Sequence, residues 1–156
     1  NPNIQPHQVQ PDQRHQWLNI FNYQQLTLIN LNNHKMQEEK NAILAKFLGW
    51  KEIKNFGWVN SEDQRQRLDF DTNLNKLFLV LNEICKKTHR VENNNLPATY
   101  KIYENYIQIE WVKPIIMGYM DSNVEAFQVY SRNGITIKEI YDVCYQFASW
   151  WLALKK

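Results

Sequence analysis

From residue 74 onward, apolar residues return at the interval of an α-helix. Leu74, Leu77, Phe78, Leu81, Ile84 and Cys85 share one face, which predicts a helix over about residues 73–87 with a single buried stripe. Thr72 or Asp71 is its predicted N-cap, and Lys86 and Lys87 stand in its last turn, where the dipole favours cations. The same period returns in Ile137, Ile140, Tyr141, Cys144, Phe147, Ala148, Trp151 and Leu154. Thr136 and Glu139 form a capping box in front of that stripe. A shorter stripe, Ile43, Leu44, Phe47 and Leu48, predicts a helix over 37–48 with Glu38 and Glu39 in its first turn and Gly49 as its stop.

Between the helices the period drops to two. Residues 50–59 carry Trp50, Ile53, Phe56, Trp58 and Val59, interrupted by Gly57. In 65–70, Gln66, Leu68 and Phe70 alternate with Arg65, Arg67 and Asp69, which predicts a half-buried strand with a solvated face. Residues 88–98, ending Glu-Asn-Asn-Asn-Leu-Pro, read as a surface loop. Residues 99–104 and 107–113 predict a hairpin turning at Glu104-Asn105, with Ile107, Ile109 and Trp111 alternating against Gln108, Glu110 and Val112. Pro114 ends that pairing or marks an edge, and 124–130 predict one more strand. The expected class is α+β in the order α-β-β-α-β-β-β-α: a small antiparallel sheet of four or five strands with three helices packed on it.

Composition divides the chain near residue 36. Residues 1–35 are rich in Asn and Gln, hold Asp12 as their one acid and contain no Gly, Ala, Ser or Glu. Such text buries little apolar surface and predicts a disordered tail, followed by one folded domain over 36–156. Met36-Gln37-Glu38-Glu39 reads like an ordinary protein start. One reading makes Met36 the initiator, with 1–35 translated from upstream A/T-rich DNA. The other makes 1–35 a genuine flexible tail.

The net charge of +2 supplies no strong field for nucleic acid or an anionic membrane. No apolar run approaches the ~20 residues of a membrane span. The N-terminal residues lack the apolar core of a signal peptide, so the expected location is cytoplasmic. Cys85 and Cys144 stand on apolar helix faces and read as small buried hydrophobes rather than as a disulfide.

Catalytic and metal chemistry are not signalled. The folded part has one histidine, His89, beside the predicted loop, where it reads as solvated. Cys85 and His89 have the one ligand-like spacing, i and i+4 on a helix, but lack the further ligands that zinc needs. Phosphate-cradling glycine loops and nucleophile elbows are absent. Asp71 has a simpler role beside a helix start, and Asp69 faces solvent with Arg65 and Arg67. The chain is therefore expected to be no enzyme, with no cofactor and no metal. Of the six tryptophans, Trp50, Trp111 and Trp151 occupy core positions, which leaves Trp58 and Trp150 as the partly exposed ones. Trp150 stands about 100° from the C-terminal stripe, so its loss should cost less stability than that of Phe147.

The ordered text resembles a known family. Ile43-Leu44-Ala45-Lys46-Phe47-Leu48-Gly49-Trp50, Phe70-Asp71-Thr72-Asn73-Leu74-Asn75-Lys76-Leu77 and the final Ile137–Trp151 stretch are similar to segments of the phage ABA sandwich domain, carried by small proteins of phages and prophages of Bacteroides-like gut bacteria. Leu74 stands where many members have Trp, and Thr72 where they have a capping Ser. The resemblance covers about residues 40–156 and implies a three-layer α-β-α sandwich in a mobile-element protein. It brings no site residues with it. The function it suggests is that of a non-catalytic accessory protein in the host cytoplasm, binding a host protein or a small ligand.

The alternative is a nucleic-acid-binding module that uses the exposed sheet face. Arg65, Arg67, Lys101 and Tyr103 could meet there, with Trp58 and Trp150 as further contacts. Asp69, Glu104 and Glu110 dilute that patch, which argues against nucleic acid. The two readings of Met36 separate by the intact mass of the native protein. A mass beginning at Met36 is expected if 1–35 are untranslated, and a mass that includes them removes that reading.

Overall fold

The computed structural model describes residues 13–91, 94–112 and 124–154. The chain divides into two compact units, Asn1–Gln37 and Glu38–Lys156.

The first unit is the N-terminal part of helix α1, which runs over Gln13–Phe47. The expectation of disorder is thus corrected for residues 13–35, which are helical, while residues 1–12 lie outside the described residues. Residues 13–47 contain neither Gly nor Pro, and Leu, Gln and Lys tolerate a helix well. Low hydrophobicity alone therefore did not decide the backbone.

In the second unit, α1 ends as its sequence predicts. Gly49 has φ +76°. Its N–H donates to the Lys46 carbonyl, and the Trp50 N–H to the Ala45 carbonyl. These are the two bonds of a Schellman stop, which favours glycine at the left-handed position. Three short strands follow, β1 (Lys51–Ile53), β2 (Gly57–Val59) and β3 (Arg65–Gln66), paired antiparallel in that order. Residues 50–59 are therefore a hairpin rather than one run. The strand expected over 65–70 stops at Gln66, because the chain turns where the Thr72 N–H bonds the Asp69 carbonyl. Buried Asn41 of α1 ties this turn down, donating from Nδ2 to the Leu68 carbonyl (2.9 Å) and to Asp71 Oδ1 (3.0 Å).

Helix α2 spans Leu74–Cys85, and its N-cap is Asn73 rather than Thr72 or Asp71. The Asn73 side chain accepts from the Lys76 N–H, while Asp71 is engaged by Asn41. The buried stripe is Leu77, Val80, Leu81 and Ile84. Leu74, Phe78 and Cys85 are exposed, so the helix is rotated toward Val80 relative to the predicted face. Cys85 is thereby corrected from a buried position to an exposed one.

The larger sheet contains β4 (Thr88–Val91), β5 (Asn94–Ile102), β6 (Tyr106–Trp111) and β7 (Val124–Tyr130), antiparallel in chain order. The loop expected over 88–98 is corrected to two strand segments. Asn and Pro read as punctuation, but Leu96 and Ala98 alternate into the core, and that burial outweighs local preference. Pro97 fits because its carbonyl accepts from the Val112 N–H while the neighbouring Ala98 N–H reaches the Lys87 carbonyl. The hairpin turn and the 124–130 strand match expectation. Residue 114 lies outside the described residues.

Register puts Leu96, Ala98, Ile107, Ile109, Trp111, Phe127 and Val129 on one face of this sheet. Helix α3 (Ile137–Ala153), with its Thr136–Glu139 capping box, packs on β6 and β7, while α2 packs on β5. The protein is thus α+β, with its helices joined by two antiparallel sheets of three and four strands.

The centre of the core is aromatic. Fully buried Phe147 has the rings of Phe47, Trp111, Phe127, Trp150 and Trp151 at 5.6–6.0 Å between centroids. Trp150 is half-buried, not free at the surface. It also meets His89 at 5.2 Å and Trp111 at 5.9 Å.

Two predictions follow from this packing and its charged supports. Phe147→Ala should destabilise by about 4 kcal/mol, and half-buried Trp150→Ala by about 2 kcal/mol. Chemical denaturation measures both, and equal losses would contradict the assigned helix face.

The second prediction concerns acid. Burial pushes the Asp69 carboxyl up, but the ammonium of Lys76 and the amide of Asn73 more than reverse this and leave it below its ordinary 3.8. Glu83 behaves alike, with Lys87 and Lys86 holding it below its ordinary 4.5. Hydrogen bonds from Thr136 hold Glu139 below 4.5. Each carboxyl binds a proton more tightly in the unfolded chain. Its stabilisation is complete above the ordinary value and disappears as pH falls through the lower folded value. Stability should therefore hold down to about pH 5 and decline below it. Lys76→Met should flatten the part of that decline owed to Asp69, and an unchanged acid slope would refute the pairing.

Candidate binding surface

Because the pleat sends alternate residues to opposite faces, the residues between the core positions of β5–β7 line the other face of the larger sheet. Register arranges them in rows across the strands. One row is Lys101, Gln108 and Gln128, and beside it Tyr106 stands opposite Tyr130. Tyr103, just past the end of β5, donates its N–H to the Tyr106 carbonyl and joins the second row.

The three tyrosines touch. Tyr103 and Tyr106 stack at 4.2 Å with 21° between their planes, and Tyr106 lies 5.4 Å from Tyr130. Tyr130 is 67% exposed and Tyr103 41%, with Tyr106 half-buried between them. Partial desolvation, and then the hydrogen bond with Tyr103, raise the Tyr106 hydroxyl above its ordinary value of 10.0. The three rings present flat, hydrogen-bonding surfaces.

The neighbouring row is polar and internally bonded. Gln128 Nε2 donates to Gln108 Oε1 (3.3 Å), and Gln108 Nε2 donates to Glu110 Oε2 (2.8 Å). Glu110 is only 3% exposed and pairs with Lys101. The hydrogen bond to Glu110 raises the Lys101 ammonium above its ordinary 10.5. A register shift at Ile109/Glu110 marks a bulge beside it, a feature that re-aims side chains within a sheet.

The residues expected to form one contact patch do not assemble. Lys101 and Tyr103 belong to this face. Arg65 is on β3 and Arg67 just beyond it, beside the smaller sheet, and both are exposed. Trp58, expected to be partly exposed, is buried at 9%. Trp150 is partly exposed, as expected, but its ring packs against the aromatic core. Tyr106, Tyr130, Gln108 and Gln128 were not singled out from the sequence. Their signal was the polar parity of 106, 108 and 110, which separates them from the core residues 107, 109 and 111.

The groups considered for chemistry are engaged elsewhere. His89 is not solvated: it lies on β4, half-buried, with Trp111 at 5.3 Å and Trp150 at 5.2 Å. Cys85 ends α2, so the two residues do not share a helix. Burial pushes both thiols up, far more strongly at Cys144. Asp69 does not face solvent with the arginines; it is half-buried and paired with Lys76. Among the described residues no three His, Cys, Asp or Glu gather as a metal set.

A cavity of about 520 Å³ lies between α1 and the smaller sheet. Trp58, Leu68 and Ala42 give its apolar surface, and exposed Glu38, Glu39, Glu52 and Lys46 its rim. Among the described residues no helix is long and apolar enough to cross a membrane.

No family model, no curated protein and no solved structure matches the chain.

Proposed function

We propose that the chain is a non-catalytic accessory protein of a phage or prophage that works by binding a host protein through the outer face of its larger sheet. The observation that carries this reading is the touching row of Tyr103, Tyr106 and Tyr130. A solvated sheet face has no need of three tyrosines in contact, two of them exposed. Tyrosine gives large contact area at low entropy cost and is enriched in protein interfaces. The adjoining amides supply hydrogen bonds that adapt to a partner. The absence of catalysis is supported by His89, which is committed to ring packing, and by thiols pushed up by burial. The phage origin is supported by the sequence resemblance alone.

Electrostatics favour a protein partner over nucleic acid. Lys101, the cation of this face named for phosphate contact, is paired with Glu110, whereas nucleic-acid affinity comes largely from free cations neutralising phosphates.

Immobilised protein should retain a host protein that a Tyr103→Ala/Tyr130→Ala variant does not. With purified components the variant should bind at least ~10-fold more weakly, the scale of lost hot-spot residues. Both residues lie outside the core, so the variant's thermal midpoint should fall by only a few degrees. Equal retention by the two proteins would overturn the reading. Retardation of single-stranded DNA at low salt by less than ~100 µM protein, abolished by Lys101→Ala, would favour nucleic acid instead. Genes of housekeeping function on both sides would argue against a phage origin.

A further inference from the structure

We infer that the β1–β2 hairpin is a peripheral membrane contact that docks on an anionic lipid surface. Residues 51–56, all of β1 and the turn after it, are exposed without interruption. The Phe56 N–H bonds the Ile53 carbonyl (3.0 Å) and closes that turn. Asn55 within it takes the left-handed conformation, at φ +66°. Ile53 and Phe56 thus stand at the two corners of a projecting turn, 46% and 48% exposed. Single apolar residues on a surface need no explanation. Here two share one turn, and their surroundings are charged.

Those charges say what the turn meets. Lys51, Lys54, Arg65 and Arg67 are all exposed. Lys51, Val59 and Arg65 form one row across the smaller sheet, on the same face as Ile53. The Arg65 side chain reaches the turn, with its guanidinium 5.5 Å from the Phe56 ring centroid. Lys54 lies in the turn itself, and Arg67 directly follows β3. Elsewhere Lys76, Lys87, Lys101 and Lys138 each hold a carboxylate. Among the described residues none of the four cations of the hairpin region does. The acids of this sheet are set apart from the tip. Glu52 alternates to the opposite face, level with Trp58, and Glu62 and Asp63 lie in the loop at the other end of β2. The net charge of +2 gives the whole chain no strong field, yet four uncompensated cations stand around this one apolar tip.

A bilayer fits that combination better than other anionic partners do. Cations near an anionic leaflet are attracted without a fixed partner geometry, and apolar side chains enter the boundary between headgroups and acyl chains. A guanidinium can also take a lipid phosphate bidentately. Nucleic acid would stack successive bases on several rings. Phe56 has Arg65 over its ring, Trp58 of β2 is buried, and Ile53 cannot stack. A protein partner places its anchor residues in well-packed pockets, and a projecting turn offers none.

Cosedimentation of the full chain with phosphatidylcholine vesicles containing about 30% phosphatidylserine tests the inference. At about 1 mM lipid most of the wild type should pellet. Little should pellet with pure phosphatidylcholine, or at about 0.5 M salt, which screens exposed charges. Ile53→Ser/Phe56→Ser and Lys54→Glu/Arg67→Glu should each bind at least ~10-fold more weakly. All four positions are exposed, so both variants should fold as the wild type does. Reversing two exposed lysines elsewhere, Lys86→Glu/Lys138→Glu, should weaken binding by less than ~3-fold. Tyr103→Ala/Tyr130→Ala should bind vesicles like the wild type, which separates this inference from the host-protein reading. Wild-type protein left in the supernatant would overturn the inference. So would equal weakening by Lys86→Glu/Lys138→Glu, or binding that Ile53→Ser/Phe56→Ser leaves unchanged. Tighter binding to single-stranded DNA than to vesicles, abolished by Lys54→Glu/Arg67→Glu, would assign the cations to nucleic acid and overturn it as well.

Discussion

The second unit depends on the packing of rings around Phe147. That side chain is fully buried in α3, and its neighbours come from four other places: Phe47 of α1, Trp111 of β6, Phe127 of β7, and Trp150 and Trp151 one turn along α3 itself. Each ring removes roughly 150–250 Å² from water. Few residues therefore join helices to sheet, and the smaller aliphatic side chains fill the space around them. His89 extends the cluster to β4 through its contacts with Trp111 and Trp150. Lys87 borders it, with its ammonium 5.3 Å from the Phe47 ring and held by Glu83. A cation above ring faces costs little desolvation when a carboxylate completes its shell.

This concentration of burial has a consequence for the opposite side of the larger sheet. With α2 and α3 both packed against one face, the strands need only satisfy a pleated polar surface on the other. Gln128, Gln108, Glu110 and Lys101 do so by bonding across strands. The tyrosines do not arise from that requirement. Opposed and stacked rings stabilise neighbouring strands by only about 0.2–1 kcal/mol a pair, less than burial in the core would give. Their position on the outer face is what supports the proposed contact surface. The polar groups of the core side are handled differently. Asn41 is buried and binds the turn before α2, so a side chain of α1 sets where α2 begins.

Much of the fold was legible in the sequence because its signals were local and agreed with one another. The capping box at Thr136 and Glu139, the Gly49 stop, the β5–β6 turn and the stripe of α3 from Ile140 to Ala148 were all read from spacing and appear in the structure, whereas Leu154, placed on that stripe, is exposed. The proposed contact surface was only partly legible: Lys101 and Tyr103 were singled out, but Tyr106 and Tyr130 were not. They are 24 residues apart in sequence, and only the β6–β7 register places them opposite each other.

Periodicity determined which residues could share a face, and the Gly49 stop and the Thr136–Glu139 capping box determined where α1 ends and α3 begins. Tertiary structure decided which of two adjacent faces is buried, because that depends on volume supplied by distant segments. Helix α2 turns toward Val80 and leaves Cys85 exposed. Residues 94–98 became strand despite Asn and Pro, since Leu96 and Ala98 gain burial beneath α2 that a loop would forgo. His89 moved from an expected solvated loop into contact with two tryptophans for the same reason. Arg65 was separated from Lys101 because the strands belong to different sheets, and a local pattern carries no record of which strands will pair.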